Sequence, residues 1–216
     1  MFGFRPTPEM VTPEAALPGR PEYPFALPTE HRVLEASPTG PWPEDTEVLF
    51  VAMGCFWGAE RIMWRLPGVL TTAAGYMGGY TPHPSYEETC TGQTGHTEAV
   101  LVAYDPEQIR PEEILKAFWE NHDPTTPNRQ GNDVGTQYRS AIYWTTPEQE
   151  QTARELTKVY GEELARRGLG EITTEIRPSS QTPYFYAEDA HQQYLAKNPF
   201  GYRCHANTGV KFPESS

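Results

Sequence analysis

Apolar and polar positions along this chain fall into two periods, and the changes of period outline its elements. "EVLFVAM", from Glu47, is short, apolar and rich in valine, which predicts a buried strand. In "GCFWGAERIMWRL" apolar residues recur at helical spacing through Ile62, Met63 and Leu66, and the pattern stops at Pro67-Gly68. "VLTTAAGYMG" predicts a second strand. "GYTPHPSYEETCTGQTG" reads as a long loop holding at most a helical turn, and "HTEAVLVAYDP" as a strand closed by an Asp-Pro turn.

"RPEEILKAFWENHD" opens on proline, carries acids in its first turn, and aligns Ile114, Leu115, Phe118 and Trp119 on one helical face. A second long polar loop, "DPTTPNRQGNDVGTQ", precedes the strand "YRSAIYWTT". A long helix follows, with Thr146 as its cap and Gly168 beyond its end. "EITTEIRP" predicts a strand, "FYAEDAHQQYLAKNP" a short helix, and the tail from Phe200 nothing regular. The order predicts an α+β fold: a two-layer sandwich of helices on a mixed sheet around a ferredoxin-like core, with long loops of functional length and irregular termini. No G-x-G-x-x-G follows a strand, which argues against a doubly wound nucleotide fold.

Composition changes the picture at the N-terminus. Residues 1–46 hold ten of the 22 prolines, which predicts an extended, irregular arm. Such an arm either wraps the domain through Phe25, Leu27 and Val33 or stays partly disordered. The expected organisation is an extension over 1–46, a catalytic domain over 47–201 and a tail over 202–216. A net charge of −12 repels nucleic acid and anionic membranes. The chain lacks an apolar run near the roughly 20 residues that span a bilayer, and its start lacks a signal-peptide h-region, so a cytoplasmic protein is expected.

The three cysteines, Cys55, Cys90 and Cys204, are too few for a disulfide framework and lack metal-ligand spacing. Cys55 stands where a strand gives way to a helix. Unpaired N–H groups and the helix dipole there favour a thiolate, which predicts a lowered pKa and a nucleophile. Gly54 and Gly58 leave room beside it, and Phe56 and Trp57 supply an aromatic wall. The plainer alternative is a buried thiol acting as a small hydrophobe. The loops offer Tyr86, His96, Glu98, Asp133 and Tyr138 as polar groups. Glu98 interrupts an otherwise apolar strand and so requires solvent or a partner. "TGQTG" and "QGNDVG" look like phosphate cradles, but the acidic chain opposes that use.

Taken together, "GCFWGAE", "YMGGYTPHPSYEETCTGQTGHTEAV" and "NHDPTTPNRQGNDVGTQYRSAIY" resemble the signature segments of the A-type peptide methionine sulfoxide reductases. The resemblance runs in order from about Leu49 to Gly201. It implies that Cys55 attacks the sulfur of methionine sulfoxide, free or in proteins, with Glu98 as general acid and Tyr86 and Tyr138 as hydrogen-bond donors. Asp133 would hold the local network, and Phe56 and Trp57 would form the methyl pocket that selects the S epimer. A sulfenic acid on Cys55 would be resolved by Cys204, which follows "NPFGYR", and thioredoxin would reduce the resulting disulfide. Cys90 would be a buried thiol without a catalytic role. The resemblance calls for no metal or organic cofactor and implies a monomer. Two other classes fit the residues less fully. One is a cysteine hydrolase with His96 or His191 as base, which leaves Cys204 idle. The other is a redox-sensing binding module.

Overall fold

The computed structural model describes residues 8–204 and 206–213. Its core elements are β1 (Glu47–Met53), α1 (Phe56–Met63), β2 (Val69–Met77), α2 (Tyr86–Cys90), β3 (Thr97–Tyr104) and α3 (Pro111–Glu120). There follow the two-residue strands β4 (Arg129–Gln130) and β5 (Asp133–Val134), then β6 (Ser140–Trp144), α4 (Pro147–Arg166), β7 (Glu175–Pro178), β8 (Phe185–Tyr186) and α5 (Tyr194–Lys197). The main sheet runs β7-β6-β1-β3-β2-β8, antiparallel except for the parallel β6–β7 pair. Within it β6-β1-β3-β2, linked through α1 and α3, form the ferredoxin-like core of an α+β sandwich. β4 and β5 form a separate small hairpin.

The helices follow their sequence signals. α4 opens on a capping box in which Thr146 Oγ1 accepts the Gln149 N–H at 3.3 Å, with proline at the first helical position. It buries Ala153, Leu156, Tyr160 and Leu164, and ends where the Leu169 N–H reaches the Leu164 carbonyl around Gly168, whose φ is +73°. The four apolar residues assigned to one face of α3 are all fully buried.

β3 is buried along both faces, although only one face of the sheet belongs to the helices. On the other, Phe50, Met77, Leu101 and Tyr143 are covered by Trp42 of the arm and by Tyr184 and Tyr186. The arm thus wraps the domain, with Phe25 and Leu27 half-buried along it and further residues making its contacts. Tyr23 packs on His83 and Tyr186, Arg20 pairs with Glu88 at 2.6 Å, and Leu34 reaches the core while Val33 stays exposed.

The deepest anchor of the arm is polar. His31 Nδ1 accepts the N–H groups of Val33 and Leu34, so its Nε2 carries the proton and donates to Thr72 Oγ1 at 3.0 Å. Thr72 donates to Glu60 Oε1 at 3.0 Å, and Glu60 also accepts the backbone N–H and side-chain amide of Gln193 at 2.8 and 2.7 Å. A connected chain of hydrogen bonds therefore runs from the arm through β2 to α1.

Two segments differ from expectation. The strand "EITTEIRP" pairs only over its last four residues. "FYAEDAHQQYLAKNP" is not one helix: Phe185 and Tyr186 pair with the edge of β2, Asp189–His191 makes a 3₁₀ turn, and only Tyr194–Lys197 is α-helical. Gln192 explains the change, because its side-chain amide accepts the Ala74 N–H at 2.9 Å and donates to the Ala74 carbonyl at 2.8 Å. The edge strand captures this segment before a helix can form.

Candidate active site

The turn from β1 into α1 presents Cys55 as the residue capping α1. Gly54 makes the turn possible: its φ is +85°, and a Cβ there would lie 2.6 Å from the Gln130 side chain. A Cβ on Gly58 would face the Cys204 carbonyl at 4.0 Å, so the tail lies over the first turn of this helix.

Cys55 is buried and free. Its pKa is not lowered, contrary to the expectation from its helical position. Burial pushes the thiol well above its ordinary value and the charges of Glu98 and Asp133 push the same way, against the N–H groups of Trp57 and Gly58. Desolvation outweighs one helix terminus here because the sulfur has little access to water. The resting residue is a thiol, and any ionisation must come with a change in its surroundings.

Glu98, on β3, is 2% exposed, and its Oε2 accepts the Phe56 N–H at 2.8 Å. Burial pushes its pKa up to about 8, with Asp133 adding to the rise. The carboxyl is therefore mostly protonated at neutral pH, which also relieves its repulsion of a Cys55 thiolate. It is a proton donor set beside the residue that follows the cysteine.

Tyr138 ends the 3₁₀ turn Thr136–Tyr138. Thr97 Oγ1, beside Glu98, lies 3.0 and 2.9 Å from the carbonyls of Gln137 and Arg139 on either side of it. Arg139 clamps the two loops together, donating to the Thr136 carbonyl at 2.9 Å and the Gly78 carbonyl at 3.3 Å. Burial, then the neighbouring charges of Glu98, Cys90, Asp133 and Cys55, hold the Tyr138 phenol above its usual range. Tyr86 opens α2, and its N–H donates to Glu188 Oε1 at 2.8 Å. Its phenol is hydrogen-bonded to the Cys90 thiol and is likewise raised, by burial first. Cys90 is exposed rather than buried, because α2 is a five-residue helix that ends at this residue.

Cys204 is half-buried. Its thiol donates to the Gln130 carbonyl at 3.6 Å, and Gln130 is the residue that packs against Gly54. Asp133 Oδ1 accepts the Tyr202 phenol at 2.9 Å. Six of the polar residues singled out in the sequence (Cys55, Glu98, Tyr86, Tyr138, Asp133 and Cys204) thus converge on one locality. Of the two aromatics, Trp57 is half-exposed and Phe56 fully buried behind it, so Phe56 backs the wall rather than facing solvent.

Four contributors escaped the sequence reading: Tyr202 on Asp133, Tyr194 stacked on Trp57 with ring centroids 3.9 Å apart, Glu188 on Tyr86, and His191 as a packing group. His191 lies 4.2 Å from Tyr86, centroid to centroid, and its Nδ1 accepts the Trp57 indole N–H at 3.3 Å. Three of the four sit on the segment assigned to a helix, and Tyr202 opens the tail. The density of Tyr, His and acid in "YAEDAHQQY" and "FGYRC" was the available signal. His96 does not serve Cys55: Nδ1 accepts the Gly79 N–H, Nε2 donates to the Thr81 carbonyl, and burial lowers its pKa to about 4.

The sequence matches the family description peptide methionine sulfoxide reductase over residues 47–215. The chain belongs to that family. It is 57% identical to the peptide methionine sulfoxide reductase MsrA of Salinispora arenicola, over 99% of this chain and 96% of the relative. It is 54% identical to the peptide methionine sulfoxide reductase MsrA 1 of Caulobacter vibrioides, over 99% and 97%. The solved methionine sulfoxide reductase A of Corynebacterium diphtheriae, 49% identical, superposes with a TM-score of 0.86 over 96% of this chain and 100% of that one. Family membership makes the chain an oxidoreductase and removes the hydrolase reading, in keeping with the engaged His96. Among the described residues, no helix is long and apolar enough to cross a membrane.

Proposed function

We propose that the chain reduces methionine-(S)-sulfoxide, free or within proteins, with Cys55 as nucleophile, Glu98 as general acid and Cys204 as resolving thiol. The observation that carries this reading is a buried carboxyl with a pKa near 8 against the Phe56 N–H, beside a cysteine at a helix start with the backbone of a second cysteine over the same turn. As the Cys55 sulfur attacks the substrate sulfur, electron density moves onto the sulfoxide oxygen, and Glu98 supplies the proton that stabilises it. Tyr86 and Tyr138, both held as neutral phenols, donate hydrogen bonds to that oxygen, Tyr86 by exchanging its bond to Cys90. Asp133 orders the network through Tyr202. Trp57, backed by Phe56, takes the methyl group.

Methionine leaves, and the oxygen stays on Cys55 as a sulfenic acid. The Cys204 thiol attacks that sulfur, a Cys55–Cys204 disulfide forms and water departs. Thioredoxin then restores both thiols by disulfide exchange. In this reading residues 1–46 are an extension, 47–201 the catalytic domain and 202–216 the resolving tail, of which His205 and 214–216 lie outside the described residues. The protein works as a monomer in the cytoplasm, where its three free thiols stay reduced.

The test is a single turnover without reductant on racemic substrate. Near-stoichiometric methionine from the S epimer, with a Cys55–Cys204 disulfide found by peptide mapping, is the expected result. Methionine release by Cys55→Ser would overturn the assignment. Cys204→Ser keeps one turnover and loses thioredoxin-driven cycling; sustained cycling in that variant would move the resolving role to Cys90.

A further inference from the structure

Cys204 lines a groove of about 400 Å³ together with Gly58, Arg61, Ile62, Arg65, Asn121, Leu195 and Arg203. On a chain with 29 acidic and 17 basic residues, a surface groove would by default be acidic. This one has three guanidinium groups and no carboxylate in its lining. Among the described residues none of the three arginines forms an ion pair, whereas Arg110, Arg154, Arg166, Arg167 and Arg177 all do. Arg203 spends one N–H on the Pro199 carbonyl at 2.7 Å. The guanidinium groups sense one another: the Arg61 pKa is lowered by burial and by the charges of Arg65 and Arg203. Close before Arg203 in the chain, Phe200 is fully exposed and Tyr202 about half exposed.

Unpaired like charges held together are a cost that an oppositely charged partner relieves. The exposed rings supply the kind of aromatic contact that anchors a protein rather than a small anion. We infer that this groove is the docking surface for the reductant, and that the reductant is a dithiol protein with an acidic rim around its reactive thiol. The inference rests on the proposed Cys55–Cys204 disulfide. The partner's thiolate attacks Cys204 Sγ, forming a mixed disulfide as Cys55 leaves with the electron pair. The partner's second thiolate then attacks its own sulfur in that bond and releases Cys204. The partner ends as a disulfide and this protein gains two electrons. Arg61, Arg65 and Arg203 steer the acidic partner to the one sulfur it must reach.

The experiment compares the wild-type protein with Arg61→Glu/Arg65→Glu, each first oxidised by one equivalent of methionine sulfoxide. Reduction is followed with a thioredoxin of acidic pI, with the neutral small dithiol dithiothreitol, and with glutathione, a small anionic thiol. The expected result is a loss of about tenfold or more in the second-order rate with thioredoxin at low salt, a flattened salt dependence, and an unchanged dithiothreitol rate. Equal thioredoxin rates in both proteins would overturn the docking surface while leaving the disulfide mechanism standing. Equal losses with dithiothreitol would also overturn it, by placing the arginines' effect on the sulfur chemistry. A loss confined to glutathione would replace the protein occupant with a small one. If the oxidised wild-type protein holds no Cys55–Cys204 disulfide for dithiothreitol to reduce, the mechanism itself fails and the docking surface with it.

Discussion

Glu60, on α1, and Glu98, against its first turn, are both buried, and their surroundings treat them differently. Glu60 accepts hydrogen bonds from Thr72, the Gln193 backbone and the Gln193 side chain, while Glu98 accepts one, from the Phe56 N–H. Burial raises both, Glu60 to about 7 and Glu98 to about 8. The count of donors separates a structural carboxyl from a chemical one. Three donors fix Glu60 as the junction of arm, sheet and helix, and they hold Gln193 in the left-handed region at φ +44°. A single donor leaves Glu98 with lone pairs and a proton to spend on something that arrives.

The largest expected effect breaks the comparison at Glu98. Glu98→Gln keeps the shape and the Phe56 contact but removes the proton donor, so the reductase step should slow by about 10²- to 10⁴-fold in single-turnover assays, with stability preserved. The same substitution sharpens the pH dependence. Wild-type activity should fall as pH rises through about 8, where Glu98 loses its proton, and the residual rate of the variant should lack that descent.

Stability should respond in the same window. A carboxyl whose folded pKa lies above its ordinary value of 4.5 binds more protons folded than unfolded between the two values. Its stabilising contribution is complete below about pH 4.5 and is lost as pH rises to about 8, so Glu98→Gln should become progressively more stable than wild type across that range. Denaturant titrations at several pH values measure this difference, and a difference that does not change with pH would remove Glu98 as the titrating group.

At the other carboxyl, Glu60→Ala strands three buried donors at about 1–3 kcal/mol each, partly relieved by relaxation. A loss of roughly 3 kcal/mol, or about 6–12 °C in Tm for a domain of this size, should leave the Glu98-dependent pH profile in place. The smallest effect is at the far end of the same chain of hydrogen bonds. His31→Ala should cost about 1–3 kcal/mol, read as a shift of a few degrees in Tm, with the single-turnover rate unchanged. A catalytic collapse in either variant, or a stability collapse in Glu98→Gln, would invert the division of labour.

Much of this was legible in the sequence where local signals decide. α3 and α4 carry their caps and apolar faces in adjacent residues, and the first glycine of "GCFWG" announces a close approach that Gln130 supplies. The misreadings arose where distant partners decide. Gln192 binds both backbone groups of Ala74, 118 residues away in sequence, and this pairing cancels the helix suggested by "FYAEDAHQQYLAKNP". Cys55 has the local setting of a low-pKa thiol, yet burial and a carboxyl from another strand raise it. Tyr202 gained its place from Asp133, 69 positions earlier, which no nearby residue signals.

The reach of the arm also bears on the order of events during synthesis. Its partners lie far downstream: Tyr23 receives the Tyr186 N–H across 163 residues, Arg32 donates to Gln193 across 161, and Pro38 accepts the Tyr186 hydroxyl across 148. On a ribosome adding about 5–20 residues per second, the arm waits some ten to thirty seconds for its docking site to exist. Until then the sheet face carrying Phe50, Met77 and Leu101 lacks its cover, and those seconds are when a nascent chain most needs a chaperone.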